Sequence, residues 1–383
     1  MPIVLAGARV LTPDDEIEGG SVIVEDGRIA EVGARLTPPA GAEVVDLRGL
    51  TLAPGFVDIH VHGGGGFSLL GGDAEEVRSY ARWVVAHGVT SFVASIVGDT
   101  PEDGEAALHA IAQAGQTEGG AELLGAHLEG PFVNARRRGA LPEGWLRPPD
   151  SALLDRLLDA TGGRLRLLTL APELPGAAAV LERAVRAGCV VAVGHSDATY
   201  EQARDAFARG ARHLTHAFNA MRPFHHREPG PLGAALDAPG VSLELIADGV
   251  HVHPAAARMV VRAKGADGVA LVTDGVPPAG LPEGRFRIGG QDARLAGGRI
   301  ELPDGTIAGS AATMDGVVRH VVREGIATLA EAVRMASTAP AAVLGLGDRK
   351  GRVARGYGAD LVALDSGLNV AGAWVAGRMV HGG

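Results

Sequence analysis

Residues 54–63 read Pro54-Gly55-Phe56-Val57-Asp58-Ile59-His60-Val61-His62-Gly63. The run from Val57 to Val61 is apolar and β-branched enough for a buried strand. Side chains alternate along a strand, so Asp58, His60 and His62 fall on one face. Two imidazoles spaced in this way can share one metal ion, because neutral imidazole is a common ligand for zinc and iron. The plainer alternative is a strand end with two partly exposed histidines. Gly63 to Gly66 follow and allow close approach of backbone to a ligand.

Seven further apolar segments have the same character: Val89–Ile96, Leu123–Glu129, Leu165–Leu170, Val190–His195, His213–His216, Leu243–Ala247 and Val269–Asp274. Helical spacing separates most of them, most clearly over Asp73–His87, Glu102–Gln113, Gly176–Ala187, Tyr200–Arg209 and Pro254–Lys264. Strands that alternate with helices imply βαβ units and a parallel sheet. Eight such units imply an α/β fold of the (β/α)8 barrel type.

Both chain ends break this rhythm. Residues 1–52 and 346–383 carry short alternating runs and turn signals such as Asp26-Gly27. Neither end has enough strands to stand alone, so one small β-sandwich domain built from both ends is expected around a barrel at 53–345. A third β-like piece, Arg285–Ile307, interrupts the chain after the eighth strand and suits a flap over the barrel mouth.

The 383 residues include 45 acidic and 35 basic side chains, net −10. That balance disfavours nucleic acid as a partner and fits a soluble, cytoplasmic protein. No run of about 18 apolar residues would span a membrane, and the N-terminus has no signal-peptide pattern. The single cysteine, Cys189, excludes an internal disulfide and heads an apolar run, which suits a buried structural thiol.

Polar, ligand-type residues close most of the expected strands. Examples are Ala126-His127-Leu128-Glu129-Gly130-Pro131, Gly194-His195-Ser196-Asp197, His216-Ala217-Phe218-Asn219-Ala220-Met221, Ala247-Asp248-Gly249-Val250-His251 and Val272-Thr273-Asp274-Gly275. Barrel enzymes build their sites at the C-terminal ends of strands, so these residues should converge. In combination these motifs resemble the amidohydrolase superfamily, and within it the N-acetylglucosamine-6-phosphate deacetylases. Dihydroorotase and urease place a carboxylated lysine where this chain has Glu129.

The resemblance implies roles position by position. Glu129, His195 and His216 match the main metal ligands, and His60 and His62 match a second-metal pair kept by some members. Asp274 matches the catalytic acid/base. Asn219, Ala220, Arg227 and His251 match residues that hold the sugar phosphate, part of that site coming from a neighbouring subunit. Ala140 and Ala308-Gly309-Ser310 match further substrate contacts. Leu141 departs from the pattern, standing where some members have a histidine near the sugar. One or two divalent ions per subunit are implied, zinc first, with iron, cobalt and manganese fitting the same donors. A homodimer acting on a phosphorylated amino sugar is implied as well.

Elementary chemistry agrees with these roles. A divalent metal activates water and polarises a carbonyl, and Asp274 could carry the proton to the leaving amine. Arg227 and His251 suit a phosphate. His127 shares strand parity with Glu129 and suits support of a ligand. His225 and His226 read as solvated loop residues. Two other readings stay open: an amidohydrolase acting on another amide or on N-acetylgalactosamine 6-phosphate, and a catalytically dead scaffold.

Overall fold

Eight parallel strands pair in chain order in the computed structural model, which describes residues 1–382. They are Phe56–Val61, Val89–Ile96, Glu122–Glu129, Leu165–Leu170, Val190–Val193, His213–Leu214, Ser242–Leu245 and Val269–Leu271. The first and the eighth meet just past their ends. Asp274 N donates to the His60 carbonyl at 2.9 Å and His62 N to the Gly275 carbonyl at 2.7 Å, which closes the sheet into a barrel. The seam of closure therefore runs through His60, His62 and Asp274.

A helix follows each of the first seven strands: Ala74–Val84, Pro101–Ala114, Ser151–Ala160, Ala177–Arg186, Tyr200–Ala208, Gly230–Asp237 and Pro254–Lys264. The first shows how they pack. Its Val77, Tyr80, Ala81 and Val84 are buried, the i, i+3, i+4, i+7 stripe of a helix lying on a core. Capping boxes start the second and fifth, Thr100 with Asp103 and Thr199 with Gln202.

Several strands stop earlier than the sequence pattern predicts. The expected ends His195, His216 and Asp274 lie outside the ladders, with φ of 47°, 22° and 48°. A left-handed residue turns the chain out of a sheet, so these side chains leave the strands at the barrel mouth.

Residues Gly284–Ser310 form an antiparallel insert of four strands with its own small core of Val276, Ala293, Leu295, Ile300, Leu302 and Ala308. Its last strand, Ile307–Ser310, returns to the barrel, where Ser310 N donates to the Asp274 carbonyl at 2.9 Å. The two chain ends share one sheet of eight strands. Thr51–Pro54 pairs antiparallel with Leu361–Leu364, and Leu5, Val22, Ile29, Leu52, Leu361 and Trp374 lie in a core of their own. Buried Lys350 bridges the barrel's Glu122 to Asp360 beside that sheet. Among the described residues, no helix is long and apolar enough to cross a membrane.

Candidate active site

Glu129, the last residue of the third strand, is the hub of the barrel mouth. Its Oε1 lies 3.0 Å from His195 Nε2 and 3.1 Å from His216 Nε2, and those two nitrogens are 3.1 Å apart. His62 Nε2 is 3.2 Å from Glu129 Oε2 and 3.3 Å from Asp274 Oδ1. His60 Nε2 is 3.3 Å from Glu129 Oε1 and 3.6 Å from Asp274 Oδ1. Two sets of donors result, Glu129/His195/His216 and His60/His62/Asp274, each with its atoms within 4.8 Å of one another.

The far nitrogens of the imidazoles decide what the near ones can do. His62 Nδ1 lies 3.0 Å from the Ser95 carbonyl, His195 Nδ1 3.0 Å from the Arg137 carbonyl, and His60 Nδ1 2.8 Å from the Glu244 carboxylate. Those oxygens only accept, so each Nδ1 carries a proton, and Nε2 is the nitrogen turned inward, its lone pair open to a metal ion in place of a proton. His60 Nε2 is buried with no hydrogen-bond partner. Inward lone pairs facing two carboxylates form a set of acceptors without a donor, which a cation satisfies. The field has the matching sign. Burial opposes a charge on His62, but its hydrogen bonds to Asp274 and Glu129 prevail and raise its pKa to about 9. Burial likewise opposes ionisation of Glu129, and the imidazoles around it hold it well below the usual carboxylate range. Surroundings that favour protons on the rings equally favour a metal ion, so the residues fit one.

The local backbone is strained where the site is built. His195, His216, Ala220 and Asp274 all have φ between 22° and 48°, a region non-glycine residues seldom visit and one that recurs at functional sites. Gly194 precedes His195 because nothing larger fits. A Cβ there would lie 2.6 Å from Thr215 Cβ and 2.8 Å from Thr169 Cγ2. Both neighbours are stiff β-branched side chains. Gly194→Ala is therefore expected to lose about 1–3 kcal/mol of stability through overpacking, measured by chemical denaturation. An unchanged midpoint would mean that the strand end yields freely.

A cavity of about 570 Å³ opens over the cluster. Of the residues singled out from the sequence, His62, Glu129, His195, His216 and Asp274 line it, with Ala140, Asn219, Ala220, His251, Ala308 and Gly309. His60 lies beneath, fully buried. Leu141 lines the wall as an apolar surface. Ser310 is not in the wall, and its hydroxyl donates to Asp248 Oδ2 at 3.1 Å. Arg227 is not in the wall either. It is exposed on the loop after the sixth strand, 2.8 Å from His226 Nε2, and both His225 and His226 are exposed. Among the described residues, no lysine or arginine lines the cavity. Outside the two donor sets, the wall carries one imidazole, His251, whose Nδ1 donates to Asp248 Oδ2 at 2.8 Å. Burial opposes the charge on His251, but the bond to Asp248 outweighs it and raises its pKa.

The structure adds Glu244, which the sequence reading passed over, and gives partners to Asp248, Asp58 and His127. Glu244, fully buried on the seventh strand, binds His60, His213 and the backbone of His216. Asp248 organises His251 and Ser310. Asp58 stays outside both donor sets, since its carboxylate accepts from Thr273 and from His60 N. Burial lifts its pKa to about 7 against those bonds. His127 lies between the Ser95 and Thr169 hydroxyls, at 2.8 Å from each, with its ring edge-on to His60. Burial, aided by the charge of His60, lowers its pKa to about 3 and keeps it neutral.

Comparison with known proteins matches the chain to a family. The amidohydrolase family profile covers residues 51–380. The chain is 36% identical over 375 residues to the N-acetylglucosamine-6-phosphate deacetylase of Bacillus subtilis (strain 168), spanning 96% of this chain and 94% of that one. It is 37% identical to the N-acetylgalactosamine-6-phosphate deacetylase of Escherichia coli O157:H7, over 99% of both. The crystal structure of the N-acetyl-D-glucosamine-6-phosphate deacetylase from Mycobacterium smegmatis superposes with a TM-score of 0.91 at 39% identity, covering 99% of this chain and 100% of that one. A mutant of that enzyme was solved in complex with N-acetyl-D-glucosamine-6-phosphate. By sequence and by fold, this chain belongs to the amidohydrolase family and stands among its N-acetylglucosamine-6-phosphate deacetylases.

Proposed function

We propose that the chain is a metal-dependent hydrolase that converts N-acetyl-D-glucosamine 6-phosphate to D-glucosamine 6-phosphate and acetate, a step of amino-sugar breakdown. The observation that carries this reading is the convergence of two donor sets on Glu129, with Asp274 facing the same cavity. Glu129, His195 and His216 would hold the principal ion, and His60 and His62 a second. Zinc is the expected metal, with iron, cobalt or manganese as substitutes. A divalent cation bound there supplies Lewis-acid polarisation of the carbonyl and lowers the pKa of water toward about 7.

The chain's own groups do the rest. Burial opposes the charge on Asp274, but His60 and the hydrogen bond to His62 lower its pKa. It is therefore an ionised base at neutral pH. Asp274 takes a proton from water as the water oxygen adds to the acetamide carbon. It returns that proton to the nitrogen as the C–N bond breaks, so that the amine leaves neutral. Asn219, Ala220, Ala140, Ala308 and Gly309 form the wall that orients the sugar, and Leu141 gives it an apolar side. Ser310 acts through Asp248.

The phosphate falls to His251 within the cavity and to Arg227 of a neighbouring copy, since a homodimer would bring an exposed arginine to a cavity lacking one. A phosphorylated sugar is a metabolite of the cell interior, which supports a cytoplasmic enzyme. Arg227→Ala is expected to lower kcat/KM for the phosphorylated sugar by about 1.5–3 kcal/mol, roughly tenfold to a hundredfold, as for a charged hydrogen bond. Activity on the unphosphorylated sugar should stay unchanged. Equal losses on both substrates would remove Arg227 from phosphate recognition.

A second substrate has its own support in the 37% identity to the N-acetylgalactosamine-6-phosphate deacetylase. The deciding experiment measures acetate release from N-acetylglucosamine, its 6-phosphate and N-acetylgalactosamine 6-phosphate. Preference for N-acetylglucosamine 6-phosphate supports the first reading, preference for the galacto epimer supports the second, and indifference to phosphate rejects both.

A further inference from the structure

Glu244 sits at the centre of the seventh strand, Ser242–Leu245, between Leu243 and Leu245. It is fully buried. A lone carboxylate in such a place is costly unless its oxygens are satisfied. Here three donors satisfy them. Oε2 accepts from His60 Nδ1 at 2.8 Å and from His216 N at 3.0 Å, and Oε1 lies 3.3 Å from His213 Nε2. The chain beyond His213 is held as well, because His213 Nδ1 is 2.7 Å from Ser242 Oγ. Burial opposes the charge on Glu244, but His60 and the bonds to His213 and His60 hold its pKa well below the usual range.

We infer that Glu244 is the positioning residue of the metal centre, coupling the two donor sets through one carboxylate. Its first action is on His60, a member of one set. A proton fixed on Nδ1 leaves Nε2 as the free donor, aimed at Glu129 and Asp274. Its second action is on His216, a member of the other set. The bond to His216 N pins a residue whose φ of 22° is strained, which keeps the imidazole directed at Glu129. One oxygen, Oε2, serves both tasks, so orientation in the two sets is not independent. Ligand histidines commonly depend on such carboxylate partners, and losing the partner costs about tenfold to a hundredfold in metal affinity. Glu244 lines no part of the cavity and touches no substrate, so its effect runs through the ligands alone.

This inference rests on the metal-dependent reading above. Its test is the affinity of stripped protein for Zn²⁺ and Co²⁺ by chelator competition, with the visible spectrum of the Co²⁺ form, in the parent, Glu244→Gln and Glu244→Ala. Glutamine keeps one oxygen for His60 and His216 and opposes His213 with an amide, so it should bind about tenfold more weakly. Alanine should bind about a hundredfold more weakly. Both should shift the Co²⁺ spectrum, which a purely structural role would leave in place while lowering the melting temperature. A folded variant with parent-like affinity and spectrum overturns the inference. Should the alanine variant fail to fold, Glu244→Gln decides by the same criterion. Failure of the parent itself to bind metal would instead sink the hydrolase reading, and this inference with it.

Discussion

Asp274→Asn should lower kcat by at least about 10²-fold while leaving fold, KM and the principal metal in place. Loss of a general acid/base costs roughly 10²–10⁴-fold. Asparagine keeps the size of aspartate and cannot accept the proton. It also tolerates the φ of 48° at this position better than most residues, so the strand end should survive. Glu129, His195 and His216 form a donor set without Asp274, so at least one equivalent of metal should stay. Steady-state kinetics beside elemental analysis separate the outcomes. A kcat within about threefold of the parent's would take the proton shuttle away from Asp274.

Glu129→Ala should be the more damaging change. Glu129 alone faces His60, His62, His195 and His216, with contacts of 3.0–3.3 Å. Its removal leaves the imidazoles without the anion that balances a cation. The set of Glu129, His195 and His216 should then empty, and the set of His60, His62 and Asp274 should hold an ion more weakly. A metal supplies several kcal/mol of transition-state stabilisation, so activity should fall at least about 10³-fold at 1.36 kcal/mol per decade. Glu129→Gln keeps the volume and should lose metal as well, which separates lost charge from a cavity. Either variant holding full metal, with more than a tenth of parent activity, would refute Glu129 as the hub.

The barrel was legible because its strands are buried on both sides. Val89–Ile96 is apolar throughout, while the helices between strands keep a 3.6-residue stripe. Pro254–Lys264 has its predicted bounds because Pro254 starts a helix and Gly265 stops one. The cluster was legible for a related reason, since Glu129, His195, His216 and Asp274 each close an apolar run. What escaped were strand ends and partners. Nothing local announces that His195, His216 and Asp274 take a left-handed backbone, because only closure of the barrel mouth imposes it. Glu244 sits in as apolar a run as Glu129 does, yet its purpose depends on His60, 184 residues away in sequence. Ser310 was read with Ala308 and Gly309 as a substrate contact, and the hydrogen bond of its hydroxyl to Asp248 depends on how the insert returns to the barrel. Arg227 was read as a phosphate ligand by residue type, and the structure puts it on an exposed loop outside the cavity wall.

The central claim is that a divalent ion held by Glu129, His195 and His216 makes this chain a deacetylase of a phosphorylated amino sugar. Its most direct test is to strip the protein with a chelator and titrate it with zinc, cobalt or manganese. Acetate release from N-acetylglucosamine 6-phosphate is followed throughout. The rate should start near zero, rise with added metal and level off at one or two equivalents per chain. A stripped protein that hydrolyses the substrate at the full rate, or a reconstituted one that releases no acetate, would contradict it.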